Sequence, residues 1–113
     1  MTNTAIDTIL LELRRGMLIL AVLSQLEHEE YGYSLLTRLS EGGLEIDQGT
    51  LYPLMRRLES QGLLESSWRI EEARPRRYYQ LSPQGKQALS QLIAEWKRLG
   101  DVMEGLLGDG EKR

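Results

Sequence analysis

Cysteine is absent from the 113 residues, and histidine occurs once, as His28 in the acidic segment EHEE. Without cysteine the chain has neither a disulfide framework nor a thiolate metal site. A single histidine with no second ligand at metal spacing predicts no zinc centre. The sequence also lacks a phosphate-binding glycine loop and a serine in a nucleophile elbow. These absences predict a protein that is not an enzyme and that needs no metal or cofactor.

Long hydrophobic runs are also missing. The longest is MLILAVL, residues 17–23, whereas a membrane-spanning helix needs about 20 apolar residues. The N-terminus, MTNTAIDTILLELRR, lacks the basic region and apolar run of a signal peptide. We therefore expect no membrane association and a cytoplasmic location. The length suits one small folded unit.

The charge is acidic overall but unevenly distributed. The net charge is −3, which argues mildly against a nucleic-acid partner. Residues 1–47 hold three basic and eight acidic side chains, whereas residues 48–80 hold six arginines and four glutamates. The middle of the chain is therefore locally positive, and a polyanion responds to the local field more than to the net charge.

Apolar periodicity predicts four helices. The first covers residues 5–27, and its segment 17–23 is apolar on every face, which indicates burial all round and hence a partner subunit. A short second helix begins near residue 32 and ends at the Gly42–Gly43 pair. Asp47 is a suitable N-cap for the third helix, which ends at Gly62.

The third helix has two contrasting faces. Its leucines and Met55 recur at helical spacing and predict a buried stripe. The opposite face carries Gly49, Pro53, Arg56 and Ser60, with Tyr52 and Arg57 at the edges. Either this is an ordinary surface with solvated charges, or it is a helix whose small and donor-rich residues enter the major groove of DNA.

After the third helix, the sequence predicts a β-hairpin and a last helix. The segments LLESSWRI and RRYYQLS read as strands, joined by the loop EEARP, residues 71–75. Arg69, Arg74, Arg76 and Arg77 make the hairpin basic. They suit DNA backbone, or alternatively protect the edges of the strands. The predicted class is mainly α with a small β-hairpin: a winged helix-turn-helix followed by a long C-terminal dimerisation helix.

The last helix, predicted from residue 83 to about residue 107 with Ser82 as its N-cap, has an alternating three-and-four spacing of apolar residues. That spacing is typical of a helix that packs along another helix. Trp96 lies on this seam, where it either forms part of an apolar interface or frames a pocket for a planar ligand at a dimer axis. The tail GDGEKR is polar, and we expect it to be frayed.

Three segments, YGYSLLTRL, GTLYPLMRRLESQGLL and RRYYQLSPQGKQAL, resemble the PadR family of bacterial transcriptional regulators. The resemblance implies a homodimer in which the first and last helices form the interface. It also implies that the third helix enters the major groove and that the wing touches the flanking backbone. Members mostly repress transcription and release DNA when a small molecule binds. The residues that match DNA-facing positions of the family are Tyr33, Thr50, Tyr52, Pro53 and Arg56.

With its single last helix the chain resembles the short subgroup of the family. This resemblance implies a repressor that binds a pseudo-palindromic double-stranded operator and that a planar aromatic effector releases. Residues 1–81 would form the DNA-binding domain, and residues 82–113 the dimerisation helix and tail. The alternative is a dimeric winged-helix module for protein–protein interaction without DNA binding. Predicted DNA contacts are Tyr33, Thr50, Tyr52, Pro53, Arg56, Arg57, Arg74, Arg76 and Arg77. The predicted ligand contact is Trp96. Predicted interface residues are Leu10, Leu13, Leu89, Leu92, Trp96, Leu99, Met103 and Leu106.

Overall fold

The computed structural model describes the backbone of residues 4–112 and the side chains of residues 4–108. The elements are α1 (Thr4–Ser24), β1 (Glu30–Tyr31), α2 (Gly32–Glu41), α3 (Gln48–Ser60), β2 (Leu64–Glu71), β3 (Arg74–Leu81) and α4 (Pro83–Lys112). The predicted order of helices and hairpin is confirmed, and so is the mainly α winged helix-turn-helix class. α2 and α3 form the helix pair, and the β2–β3 hairpin is the wing.

The hydrophobic core lies where α1, α2, α3, the sheet and the start of α4 meet. It consists mostly of leucine: Leu18, Val22, Leu23, Leu26, Leu35, Leu39, Leu51, Leu54, Met55, Leu58, Leu64, Tyr79, Leu81 and Leu89. The inward stripe predicted for α3 is therefore confirmed. Because these side chains hold α3 on the domain, its opposite face is left to solvent.

The predicted ends of α2 and α3 are confirmed. The Asp47 carboxylate accepts a hydrogen bond of 2.8 Å from the Thr50 backbone N–H, and bonds to Thr50 lower the pKa of this carboxyl group. Gly43 and Gly62 have φ values of +102° and +83° directly beyond the two helices. Glycine adopts this left-handed conformation with little strain, which is why it ends both helices.

The wing differs from its predicted form. A loop over residues 71–75 was wrong, because the strands continue until Glu71 pairs with Arg74 and leave only Glu72 and Ala73 in the turn. Both turn residues have positive φ, 52° and 64°, as the tight turns that match strand twist require. Pro75 is tolerated in β3 because β1, the strand on the far side, pairs only with Tyr78 and Tyr79.

The strand β1 was not predicted. It consists of Glu30 and Tyr31, which pair with Tyr79 and Tyr78, so that the sheet order is β1-β3-β2. Two residues are too few to show an alternating pattern. Their placement nevertheless joins the start of α2 to the base of the wing.

The junction between the wing and α4 is closely packed. The Ser82 backbone N–H donates to the Leu63 carbonyl at 3.1 Å, and the Ser82 hydroxyl donates to the Gly62 carbonyl at 2.6 Å. The same hydroxyl accepts from the Gly85 N–H at 3.0 Å, which confirms Ser82 as the N-cap of α4. At Gly85, a Cβ atom would lie only 2.0 Å from the Leu63 carbonyl oxygen.

The chain is more extended than a compact domain of its length. Its radius of gyration is 17.0 Å, against about 13 Å expected for a compact chain. α4 continues to Lys112, beyond the predicted end near residue 107 and through most of the tail that we expected to be frayed; Arg113 lies outside the described residues. Within residues 4–112, no helix combines the length and hydropathy that crossing a membrane requires.

Candidate nucleic-acid interface

The outer face of α3 carries the side chains that the sequence predicted there. Gly49, Thr50, Pro53, Arg56 and Arg57 are all exposed. Pro53 lies inside the helix, near its start. Neither Arg56 nor Arg57 forms an ion pair with any side chain that the structure describes. This face can therefore offer two uncompensated guanidinium groups to a polyanion.

Tyr52 lies at one edge of that face and is half-buried against the start of α2. A Cβ atom built on Gly32 would come within 2.6 Å of the Tyr52 ring, so the glycine in the YGY segment makes room for this tyrosine. Burial, followed by the nearby phenols of Tyr33 and Tyr31, raises the pKa of Tyr52 above its usual value. A tyrosine phenol is protonated at neutral pH in any case, so Tyr52 can act as a hydrogen-bond donor.

Tyr33 and Tyr31 have separate environments although only Gly32 lies between them. Tyr33 is 59% exposed at the first turn of α2. Tyr31 is half-buried, and its ring meets the Tyr78 ring edge-on at a centroid distance of 5.5 Å. Phosphate contact therefore suits the position of Tyr33, and packing within the domain suits that of Tyr31.

Arg77 is tied to α3 by a network of hydrogen bonds. Its Nη2 donates to Glu59 Oε1 at 2.7 Å, and its Nε donates to Ser66 Oγ at 3.0 Å. The Ser66 hydroxyl in turn donates to Glu59 Oε2 at 2.5 Å. Two hydrogen bonds, one to the Glu59 carboxylate and one to the Ser66 hydroxyl, restrict the orientation of the guanidinium. Arg77 therefore connects the wing to α3, and its positive charge is largely compensated by Glu59.

Arg69 and Arg76 are also engaged within the chain. Arg69 pairs with Glu29 and lies over the Tyr78 ring, with its Cζ 4.4 Å from the ring centroid. Arg76 lies 3.6 Å from the Glu71 carboxylate and stacks on the Tyr31 ring at 4.5 Å. Such cation–π contacts and exposed pairs are individually weak. With the Arg77–Glu59 pair, they nevertheless place carboxylates beside three of the four wing arginines.

The hairpin tip is consequently less basic than the sequence indicated. Among the described side chains, Arg74 is the wing arginine without a carboxylate partner, and it is exposed beside the turn. Glu59 lies in α3, Glu71 in β2, and Glu29 in the loop before β1. Their pairing with arginines could not be read from sequence spacing.

A groove of about 320 Å³ lies between the wing, α3 and the start of α2. Its aromatic lining is Tyr31, Tyr33, Tyr52, Trp68 and Tyr79, and its basic lining is Arg56, Arg76 and Arg77. Sequence reasoning missed this cluster, although the aromatic residues of two separate motifs were the available signal. The groove brings the predicted contacts Tyr33, Tyr52 and Arg56 onto one continuous surface.

No group of three histidine, aspartate or glutamate side chains within the described part of the chain is placed to hold a metal ion. Solved structures that resemble this chain include PadR family regulators of transcription. The model of the transcriptional regulator PadR-like family matches residues 19–91, from the second half of α1 to the start of α4. The chain belongs to the PadR-like family.

Individual transcriptional regulators that are similar to this chain agree with this assignment. A PadR family transcriptional regulator from Eggerthella lenta is 47% identical, with a TM-score of 0.85 over 91% of this chain and 92% of that one. A PadR-like transcriptional regulator from Bacillus cereus is 26% identical, with a TM-score of 0.77 over 85% of this chain and 96% of that one. Transcriptional regulator Rv3488 of Mycobacterium tuberculosis is 42% identical over 58% of this chain. That match spans 61% of the mycobacterial protein's length.

The family match does not extend to the projecting parts of this PadR-like chain. The first half of α1 exposes Leu10 and Leu13, and α4 exposes a stripe formed by Ile93, Trp96, Leu99, Val102, Met103, Leu106 and Leu107. Trp96 is 47% exposed. Leu89, which the sequence placed on an interface, is only 5% exposed and belongs to the core of its own chain. Leu92 is partly buried against that core.

Proposed function

We propose that this PadR-like chain is a homodimeric transcriptional repressor that binds a pseudo-palindromic operator. The outer face of α3 carries the proposal, because it presents Arg56 and Arg57 unpaired beside small exposed residues. Family membership supports DNA as the partner. In this proposal α3 enters the major groove, Arg56 reaches base edges, and Thr50, Tyr52 and Tyr33 contribute hydrogen-bond donors to backbone or base edges.

The wing positions the protein and does not specify sequence. Arg74 would contact a phosphate beside the major groove, whereas Arg77 keeps the wing docked on α3 through Glu59. Arg76 would contact the DNA backbone while it lies over the Tyr31 ring. Phosphate contacts fix register and orientation without reading bases.

Dimerisation would bring two copies of α3 to the two half-sites. Residues 1–81 form the DNA-binding part in this proposal, and residues 82–113 form the dimerisation helix. The exposed apolar stripe of α4 and the exposed leucines of α1 support this division. Such a large contiguous apolar surface is uncommon on monomers and is typical of an interface. The first turns of α4 instead join the core through Leu89.

Arg56→Ala is expected to weaken operator binding by about 1–3 kcal/mol and to relax discrimination at one base position, since a bidentate arginine contact contributes about that much. Arg74→Ala is the matched control on the wing. It should weaken binding to all sequences alike. It should also reduce the salt slope, which is the steepness with which log affinity falls with log salt concentration, by about one. Both variants should be titrated with upstream DNA and with scrambled DNA at several salt concentrations.

Equal affinity of Arg56→Ala and the unaltered protein for operator would contradict the proposed docking. The rival function is a winged-helix protein-interaction module, which the carboxylates paired with the wing arginines favour. If the unaltered protein shifts no DNA at low salt, that rival function replaces the proposal.

A planar aromatic effector would release the operator by binding near Trp96 at the dimer axis. Stacking contributes roughly 0.5–1.5 kcal/mol per aromatic pair beyond area burial. A ligand that favours a different spacing of the two α3 helices lowers operator affinity by its differential affinity for the two states. We therefore expect planar aromatic compounds to quench tryptophan fluorescence, and Trp96→Ala to abolish the quenching.

Trp68→Ala is the control, because Trp68 lies in the wing groove and is the other tryptophan of the chain. It should leave ligand-induced quenching in place. Quenching that persists in Trp96→Ala but disappears in Trp68→Ala would move the ligand to the wing groove. If no compound in a broad panel quenches the tryptophan fluorescence, Trp96 is an interface residue without a ligand-binding role.

A further inference from the structure

A second groove, of about 510 Å³, separates α1 from the start of α3. Its lining from α3 is Gly49, Thr50, Pro53, Leu54 and Arg57, and its lining from α1 is Arg15, Leu18 and Ile19. The wing groove uses Tyr52, Met55 and Arg56 instead. Since helix positions about one turn apart share a face, the two grooves flank opposite edges of the outer face of α3.

The lining of this second groove contains two arginines and no carboxylate. Arg15 and Arg57 form no ion pair with any side chain in the described chain. Glu45 and Asp47 of the adjoining loop line a neighbouring cleft with Arg15, and each also accepts a hydrogen bond from a neutral donor. Asp47 accepts from the Thr50 N–H, and Glu45 accepts from the Ser40 hydroxyl at 2.6 Å. Arg15 therefore differs from the wing arginines Arg69, Arg76 and Arg77.

Core residues lie beneath the groove, and the backbone at Gly49 leaves one side of it open. Leu18 and Leu54 are core residues beneath it, so α1 and α3 keep their relative position. On the α3 side, a Cβ atom at Gly49 would meet only Asp47 Oδ1, at 3.7 Å, within 4 Å. The backbone at this point is therefore accessible to a large anion. Arg15 adds its charge from a helix outside the helix-turn-helix pair.

We propose that Arg15, together with Arg57, binds a phosphate of the DNA backbone on the side of the major groove away from the wing. α3 would then be held between two phosphate contacts, Arg74 on the wing side and Arg15 on the α1 side. The inference rests on the proposed DNA-binding function. It assigns a DNA contact to the N-terminal third of the chain, which is acidic in total.

The test compares Arg15→Gln with Arg14→Gln by measuring DNA affinity from 50 to 200 mM salt. Arg14 is the matched control because it lies next to Arg15 on α1, carries the same charge, and lines only the neighbouring cleft with Thr50, not the groove with Arg57. Loss of one phosphate contact should reduce the salt slope by about 0.9. From 50 to 200 mM salt, the loss of affinity should therefore be about 3.5-fold smaller for Arg15→Gln than for the unaltered protein. Arg14→Gln should keep the slope of the unaltered protein.

Hydroxyl-radical footprints provide a second readout. Arg15→Gln should lose backbone protection on the side of each half-site away from the positions affected by Arg74→Gln. An unchanged slope and footprint in Arg15→Gln would overturn the inference, and so would an equal change in Arg14→Gln, which would indicate a general charge effect. If the unaltered protein binds no DNA, the proposed function fails and this inference fails with it. Circular dichroism should show both exposed-site variants folded.

Discussion

Gly85→Ala is expected to be the most destabilising glycine-to-alanine change among the glycines that the structure describes. The new Cβ would lie 2.0 Å from the Leu63 carbonyl oxygen and 3.0 Å from its carbon. That carbonyl is fixed, because it accepts the Ser82 N–H at 3.1 Å. Overpacking typically costs 1–3 kcal/mol, and a clash with backbone lies at the upper end, so we expect about 3 kcal/mol. The melting temperature should fall by roughly 10 °C or more.

Gly105→Ala is the matched control on the same helix. Within the described chain, nothing lies within 4 Å of a Cβ built at Gly105. Alanine is a better helix former than glycine by up to about 1 kcal/mol, so this variant should equal or exceed the unaltered protein in stability. Thermal unfolding followed by circular dichroism measures both variants. A melting temperature of Gly85→Ala at or above that of the unaltered protein would refute the close approach of α4 to Leu63.

Introducing glutamate at Leu99 and Met103 should convert a dimer into a folded monomer. These side chains are 43% and 47% exposed in the single chain, so the core does not depend on them. At a two-fold seam each glutamate would be a buried and unpaired charge, which costs about 3–5 kcal/mol. The dimer dissociation constant should therefore rise by at least about two orders of magnitude.

Gln91→Glu is the control for the added charge, because Gln91 is exposed on α4 and is not one of the apolar residues of the stripe. Sedimentation at micromolar concentration should show dimers for the unaltered protein and for Gln91→Glu, and monomers for the double variant. A monomeric unaltered protein would rule out the proposed interface. Operator binding should weaken in the double variant, since one α3 alone reads one half-site.

Short-range features of the chain could be predicted from the sequence. The stripe of leucines in α3, the Asp47 cap, the glycines after α2 and α3, and the Ser82 cap of α4 are all confirmed. Each depends on residues within about one helical turn, where spacing and side-chain chemistry are sufficient. The exposed arginines of α3 followed from the same periodicity, because positions opposite a buried stripe face solvent.

Partners distant in sequence were decided only by the tertiary structure. The spacing of Arg69 and Arg77 does not indicate that Glu29 and Glu59 compensate their charge. The sequence also does not indicate that Arg15 lies beside α3, or that Gly32 makes room for Tyr52. Periodicity shows which side of an element is buried, but not which residues of another element it meets. The wing is therefore less positively charged than its composition indicated, and part of the acidic first third is locally positive. The reason is that charges interact according to their distance in space, not in sequence.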